Sequence, residues 1–133
     1  MSDFGDPILA LDNVSKVFVR ADKPVYAARS VSFALHPGRT LALVGESGSG
    51  KTTLLRLIAG LERPTSGRIL FGDEDASDKS VQERNIGFVF QHYALFRHMN
   101  ILENVSFGLK VRPRATRPAA AEIRRRAMVL LDL

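Results

Sequence analysis

The amino-acid sequence predicts an α/β fold with a mixed sheet, and three observations carry that reading. Residues 40–44 (TLALV) and 86–90 (IGFVF) are nearly unbroken apolar runs, the pattern of strands covered on both faces. Residues 11–19 and 31–35 instead alternate apolar with polar, as half-buried strands of an antiparallel portion do. After Gly50 the period changes, and Leu54, Leu57, Ile58 and Leu61 fall on one helical face. At 133 residues and 45% hydrophobic content, the chain has material for one core of ordinary domain size.

Taken in order, the first strand covers Leu11 to Val19, and ADKP (21–24) is a loop. The second strand covers 31–35, and HPG (36–38) turns the chain into the buried run 40–44. The helix beginning near Gly50 meets Gly60, a residue well suited to ending it. PTSG (64–67) leads into a short strand, RILFG, and DEDASDKS (73–80) is a polar surface loop. The second apolar run ends on a polar residue, Gln91. Near the end a helix is expected with Ile123, Ala127, Leu130 and Leu131 on one side and Pro118 in its first turn. No internal repeat is visible.

Composition removes several classes of protein. With no Cys there is no disulfide framework and no thiolate metal site. The N-terminus has no basic start leading into an apolar run, so no signal peptide is expected. No apolar stretch approaches the length needed to cross a membrane, since Arg56 interrupts the best candidate. The net charge of +5 is uneven. Residues 1–96 hold 11 basic and 11 acidic residues, whereas residues 97–133 hold 8 basic against 3 acidic. Such a patch can meet nucleic acid or anionic lipid, but no aromatics interleave with the charges. A solvated helix face is the simpler reading, and no nucleic-acid partner is expected.

The chemistry concentrates in residues 43–60, LVGESGSGKTTLLRLIAG. A strand, a glycine-rich turn and a helix in succession aim backbone N–H groups and a helix dipole at one point, which makes an anion site. Gly45, Gly48 and Gly50 let the backbone curl around phosphates, with Glu46, Ser47 and Ser49 between them. Lys51 can reach the β- and γ-phosphates, and the Thr52 hydroxyl can hold Mg²⁺ that bridges them, with Thr53 following. GESGSGKT meets the P-loop pattern G-x-x-x-x-G-K-[ST] at each required position. ATP and Mg²⁺ are the expected ligands.

Two stretches resemble the ATPase subunits of ABC transporters: SGSGKTTLLRLIAGLERPTSGRI and IGFVFQHYALFRHMNILENVSFGL. Within that family, FQHYALFRHM and the later VRPR…RP…EI are most similar to the sulfate/thiosulfate importers of bacteria. The resemblance runs from about Ile8 onward. It implies a P-loop NTPase core over about 8–95 and the start of a helical subdomain over about 96–133. It further implies that Phe18 stacks on adenine, although a ring there also suits a core. Gln91 matches the Q-loop glutamine, reaching Mg²⁺ and the attacking water. Residues Gln91 to Phe96 would then face the membrane subunits, although Tyr93, Leu95 and Phe96 equally suit the core of the helical subdomain.

Two departures qualify the match. Glu46 stands where close relatives often carry Pro, which alters the turn only. The signature LSGGQ, the Walker B aspartate with its catalytic glutamate, and the switch histidine would all follow the last helix; His36, His92 and His98 precede it. The chain therefore reads as the N-terminal part of a longer protein, expected to bind ATP, to lack turnover alone and to be poorly stable. The parent is expected to be an importer ATPase at the cytoplasmic face of the bacterial plasma membrane. Its implied partners are a second ATPase subunit, two permease subunits and a periplasmic or extracellular solute-binding protein. Three rival readings remain at this point: a small P-loop kinase or nucleotidase using the Arg-rich tail as a lid, a non-catalytic nucleotide-binding module, and an importer ATPase for another solute such as a polyamine or sugar.

Overall fold

A computed structural model of the chain describes residues 5–92 and 95–132, which fall into two compact units, 1–88 and 89–133. The first unit is built on a long hairpin. Strand β1 (Leu9–Arg20) pairs antiparallel with β2 (Lys23–Leu35), from Leu9 opposite Leu35 to Arg20 opposite Lys23. The turn between them is only Ala21 and Asp22, both left-handed (φ 46° and 59°), as a two-residue hairpin turn requires. The expected loop ADKP is thus half turn and half strand. Pro24 is tolerated in β2 because that strand lies at the edge of the sheet. Bulges near Asn13 and Lys16 interrupt the ladder, which explains why the alternation along β1 is imperfect.

Strand β3 (Ser66–Phe71) joins the other edge of β1, and a two-residue strand β4 (Glu74–Asp75) pairs with β3. Among the described residues the sheet has the order β2-β1-β3-β4 with antiparallel ladders throughout. The expectation for 40–44 and 86–90 needs correction, because neither segment enters a ladder. Val44 is 93% and Val89 79% exposed, although Leu43 does pack against the core. A continuous apolar run signals a strand covered on both faces, and the exposure of Val44 and Val89 shows that the described residues do not supply that cover.

Helix α1 (Lys51–Ala59) lies against the sheet and builds the core with it. Leu54 and Leu57 meet Leu9, Leu11 and Val14 of β1 and Ile69 of β3, all buried. Side chains of this size contribute about 1.5–3 kcal/mol each when fully buried. Gly60 ends the helix in a left-handed conformation, as expected. Downstream, the polar stretch holds more structure than a loop. Asp75 accepts from both the backbone N–H and the hydroxyl of Ser77, which hold its carboxyl below the usual range. Ser80 then opens a short helix α2 (Val81–Arg84), its backbone N–H donating to Glu83 at 2.8 Å.

Arg84 closes this arrangement. It is buried, and its guanidinium donates to the carbonyls of Leu57 (2.6 Å), Ile58 (2.8 Å), Lys79 (3.1 Å) and Ser77 (3.2 Å). A cation thus satisfies carbonyls at the C-terminal end of α1, where the helix dipole favours positive charge. Burial lowers its affinity for the proton, and nearby Asp75 opposes that effect.

The second unit centres on two packed helices, α3 (Ile101–Lys110) and α4 (Ala120–Leu131). α3 is absent from the elements expected above. Asn100 and Glu103 cap its start reciprocally, and Asn104 fastens the preceding loop by donating to the carbonyls of Phe96, Met99 and Asn100. On α4, Ile123 and Ala127 are buried as expected, whereas Leu130 is exposed. Pro118 sits just before the cap residue Ala119 rather than in the first turn. Glu122 is gripped by Arg125 and Arg126, which hold its carboxyl from the usual 4.5 down to about 2. A depressed carboxyl stabilises the folded helix above its unfolded pKa, and that contribution is lost as pH falls through the folded value. Acid titration from about 4.5 towards about 2 should therefore loosen the first turns of α4. The effect should shrink in high salt because the pair is exposed. Side-chain carboxyl titration of Glu122 by NMR checks it.

Candidate phosphate-binding site

The loop from Gly45 to Gly50 leads directly into α1, with Gly50 as its N-terminal cap. Gly50 is left-handed (φ 91°), and a Cβ built there would stand 2.0 Å from the carbonyl oxygen of Ala27 on β2. Only glycine satisfies both demands, so the loop and the hairpin touch backbone to backbone at this point. No side chain caps the helix, and its first turn carries no acidic residue. The N–H groups and dipole at its start therefore face outward without a protein carboxylate against them.

Lys51 folds back over the loop. Its ammonium donates to the carbonyls of Gly45 (2.6 Å) and Glu46 (2.7 Å) and to the Ser49 hydroxyl (3.1 Å). The amide of Ser49 donates to Glu46, tightening the turn. Ser47 and Gly48 form its exposed outer side. Thr52 and Thr53 occupy the first turn of α1, Thr52 exposed and Thr53 half-buried. Beside Lys51 runs a cleft of about 520 Å³, bordered by Ser49, Gly50, Lys51, Tyr26 and Arg29. The Arg29 guanidinium rests 4.0 Å from the centre of the Tyr26 ring.

Phe18 is not among the residues bordering that cleft. It sits on β1 opposite Val25 and is 36% exposed, with the Lys16 ammonium 5.0 Å from the centroid of its ring. Gln91 belongs to the second unit and is exposed there. Of the docking residues considered above, Leu95 is exposed, Phe96 packs on Phe107 with ring centroids 4.4 Å apart, and Tyr93 lies outside the described residues. Sequence reasoning passed over Lys16, Tyr26 and Arg29. For Lys16 a signal existed, since two positions from an aromatic residue along a strand invites contact. Among the described residues no group of three His, Asp or Glu side chains forms a metal site, and no helix is long and apolar enough to cross a membrane.

Comparison with known proteins places this geometry in context. The ABC transporter family matches residues 28–132. Over 107 residues the chain is 71% identical to a sulfate/thiosulfate import ATP-binding protein of Brucella melitensis, covering 80% of this chain and 30% of that relative. The protein of that name from Mesorhizobium japonicum is 65% identical over 121 residues, 91% of this chain and 34% of the relative. The chain thus spans about 30% of the length of the curated relatives it matches. Among solved structures, a dimeric ATP-binding cassette in a post-hydrolysis state bound to ADP and Pi superposes with a TM-score of 0.82 at 32% identity. That superposition covers 93% of this chain and 56% of the other.

Proposed function

Because the chain belongs to the ABC transporter family, we propose that it is the phosphate-binding part of an importer's ATPase subunit. The whole protein would couple ATP hydrolysis to uptake of sulfate or thiosulfate. The observation that carries the nucleotide reading is the loop itself: Gly50 packed closely on the hairpin, an α1 start with no side-chain cap, and Lys51 folded back over the loop. The solute follows from the names of relatives as similar as 71%.

In this reading the backbone N–H groups from Gly45 to Gly50, with Ser47 and Ser49, surround the β- and γ-phosphates. Lys51 transfers its donors from the loop carbonyls to phosphate oxygens, and Thr53 supports the first turn of α1. Glu46, exposed in the loop, opposes the γ-phosphate charge. Phe18 offers its ring to adenine. A Mg²⁺ ion fits the residues present, because it takes oxygen ligands and Thr52 places an exposed hydroxyl at the helix start. Held there by Thr52, the ion would supply positive charge that offsets the charge on the phosphates. Gln91 would add its amide oxygen and align the attacking water. Residues 8–95 serve as the nucleotide-binding core and 96–133 open the helical subdomain.

The partners proposed are a second ATPase subunit, two permease subunits docking near Gln91 to Phe96, and an extracytoplasmic solute-binding protein. The complex would place this subunit at the cytoplasmic face of the plasma membrane. The dimeric state of the similar cassette supports the first of these. Changing Lys51 to Ala in the full-length protein removes a charge-assisted contact of about 1.5–3 kcal/mol. Mg-ATP affinity should fall roughly ten- to hundredfold. Calorimetry that finds the affinity unchanged rules out the phosphate assignment.

A further inference from the structure

Lys16 is held more firmly than a strand lysine at a sheet surface needs to be. Its ammonium donates to the Arg63 carbonyl at 2.8 Å and pairs with Glu62 at 3.3 Å, and its side chain is only 15% exposed. Glu62 is itself anchored by Arg56 of α1 at 3.5 Å. On either side of Lys16, the amide of Val17 donates to the Thr65 hydroxyl at 3.0 Å and Ser15 accepts from the Thr65 amide at 2.8 Å. The turn after α1 is therefore laced to β1, and it fixes a cation 5.0 Å from the centre of the Phe18 ring. Phe18 keeps part of its surface in solvent.

We propose that Lys16 is a positioning residue for base recognition, holding the Phe18 ring so that a purine stacks on the side the ammonium leaves open. This rests on the assignment of Phe18 as the base platform. Two physical effects favour it. A cation over one face draws π density towards itself. The opposite face then meets the π cloud of a purine with less repulsion, where stacking geometry is governed by ring quadrupoles. A ring already fixed also loses less freedom when the base arrives. Lys16 is distinct from the phosphate loop, because it does not border the cleft beside Lys51 and two of its three donors are engaged by Arg63 and Glu62. Its influence should reach the base and stop short of the phosphates.

That separation gives the test. Binding of Mg-ATP and of Mg-tripolyphosphate, which carries three phosphates and no base, is measured by calorimetry on the full-length protein. Lys16→Met should weaken ATP about two- to fivefold, the size of one exposed cation–π contact, and leave tripolyphosphate unchanged. Lys16→Gln keeps a donor for the Arg63 carbonyl but removes the charge, and it should show the same selective loss; it decides the matter if the Met variant fails to fold. Lys16→Arg should bind both ligands as the parent does. In a Phe18→Ala background, Lys16→Gln should cause no further loss of ATP. Equal losses of both ligands, no loss of either, or a loss of ATP that persists without Phe18 would each overturn the proposal. If Phe18→Ala alone leaves the ratio of the two affinities unchanged, the base-platform assignment itself fails and this inference falls with it.

Discussion

Gly50→Ala should destabilise the folded chain by about 4 kcal/mol or more, at the severe end of single substitutions. The new Cβ would have to share space with the Ala27 carbonyl at 2.0 Å while the backbone keeps a φ of 91°. Neither strain can relax alone. The residue caps α1, and Ala27 lies in the long ladder with β1. Gly48 provides the control. It is also left-handed, at φ 85°, but a Cβ there meets nothing within 4 Å. Gly48→Ala should therefore cost only the conformational strain, about 1–2 kcal/mol. Urea unfolding of both variants separates the two terms, and equal midpoints would show that the Gly50 contact relaxes freely.

Arg84→Met should cost about 3 kcal/mol, since it removes the donors to four backbone carbonyls, among them Leu57 and Ile58 at the end of α1. The volume is roughly kept, so the loss reports the hydrogen bonds more than packing. Arg84→Lys should recover only part of it, because an ammonium on a flexible stem cannot reproduce a planar fork aimed at several acceptors. Thermal unfolding, together with amide exchange at Gly60 and Leu61, whose N–H groups bond back to Leu57 and Arg56, would register the fraying of the helix end. A Lys variant as stable as the parent would refute the fork geometry.

These two residues mark where sequence reasoning succeeds and where it stops. The helix start at Lys51, its end at Gly60 and the loop between Gly45 and Gly50 are all legible, because glycine positions and a change of period constrain backbone shape locally. The family could be read from that stretch together with residues 86–109, and the family match over 28–132 agrees. The segments 40–44 and 86–90 misled, since an apolar run reports burial and is silent about which strand provides it. Helix α3 was missed although Asn100 and Glu103 spell a capping signature three residues apart. The hydrogen bonds of Arg84, Lys51 and Lys16 to backbone carbonyls were not legible. Their partners include backbone carbonyls, which every residue carries, and those of Leu57 and Ile58 for Arg84 and of Arg63 for Lys16 lie 26 to 47 residues away.

The arched Lys51 has a further consequence for how selective the loop can be. Its three donors are engaged with Gly45, Glu46 and Ser49, so any anion arriving there enters by exchange. The newcomer must offer the ammonium more than two carbonyls and a hydroxyl already do. A halide, with one compact charge and no array of oxygens, gains little by displacing them. A polyphosphate brings several charged oxygens at once and can satisfy the ammonium and the amides of the helix start together. In the proposed phosphate-binding role the loop would thereby set its own threshold, its carbonyls competing with ligands according to the number of oxygens these present.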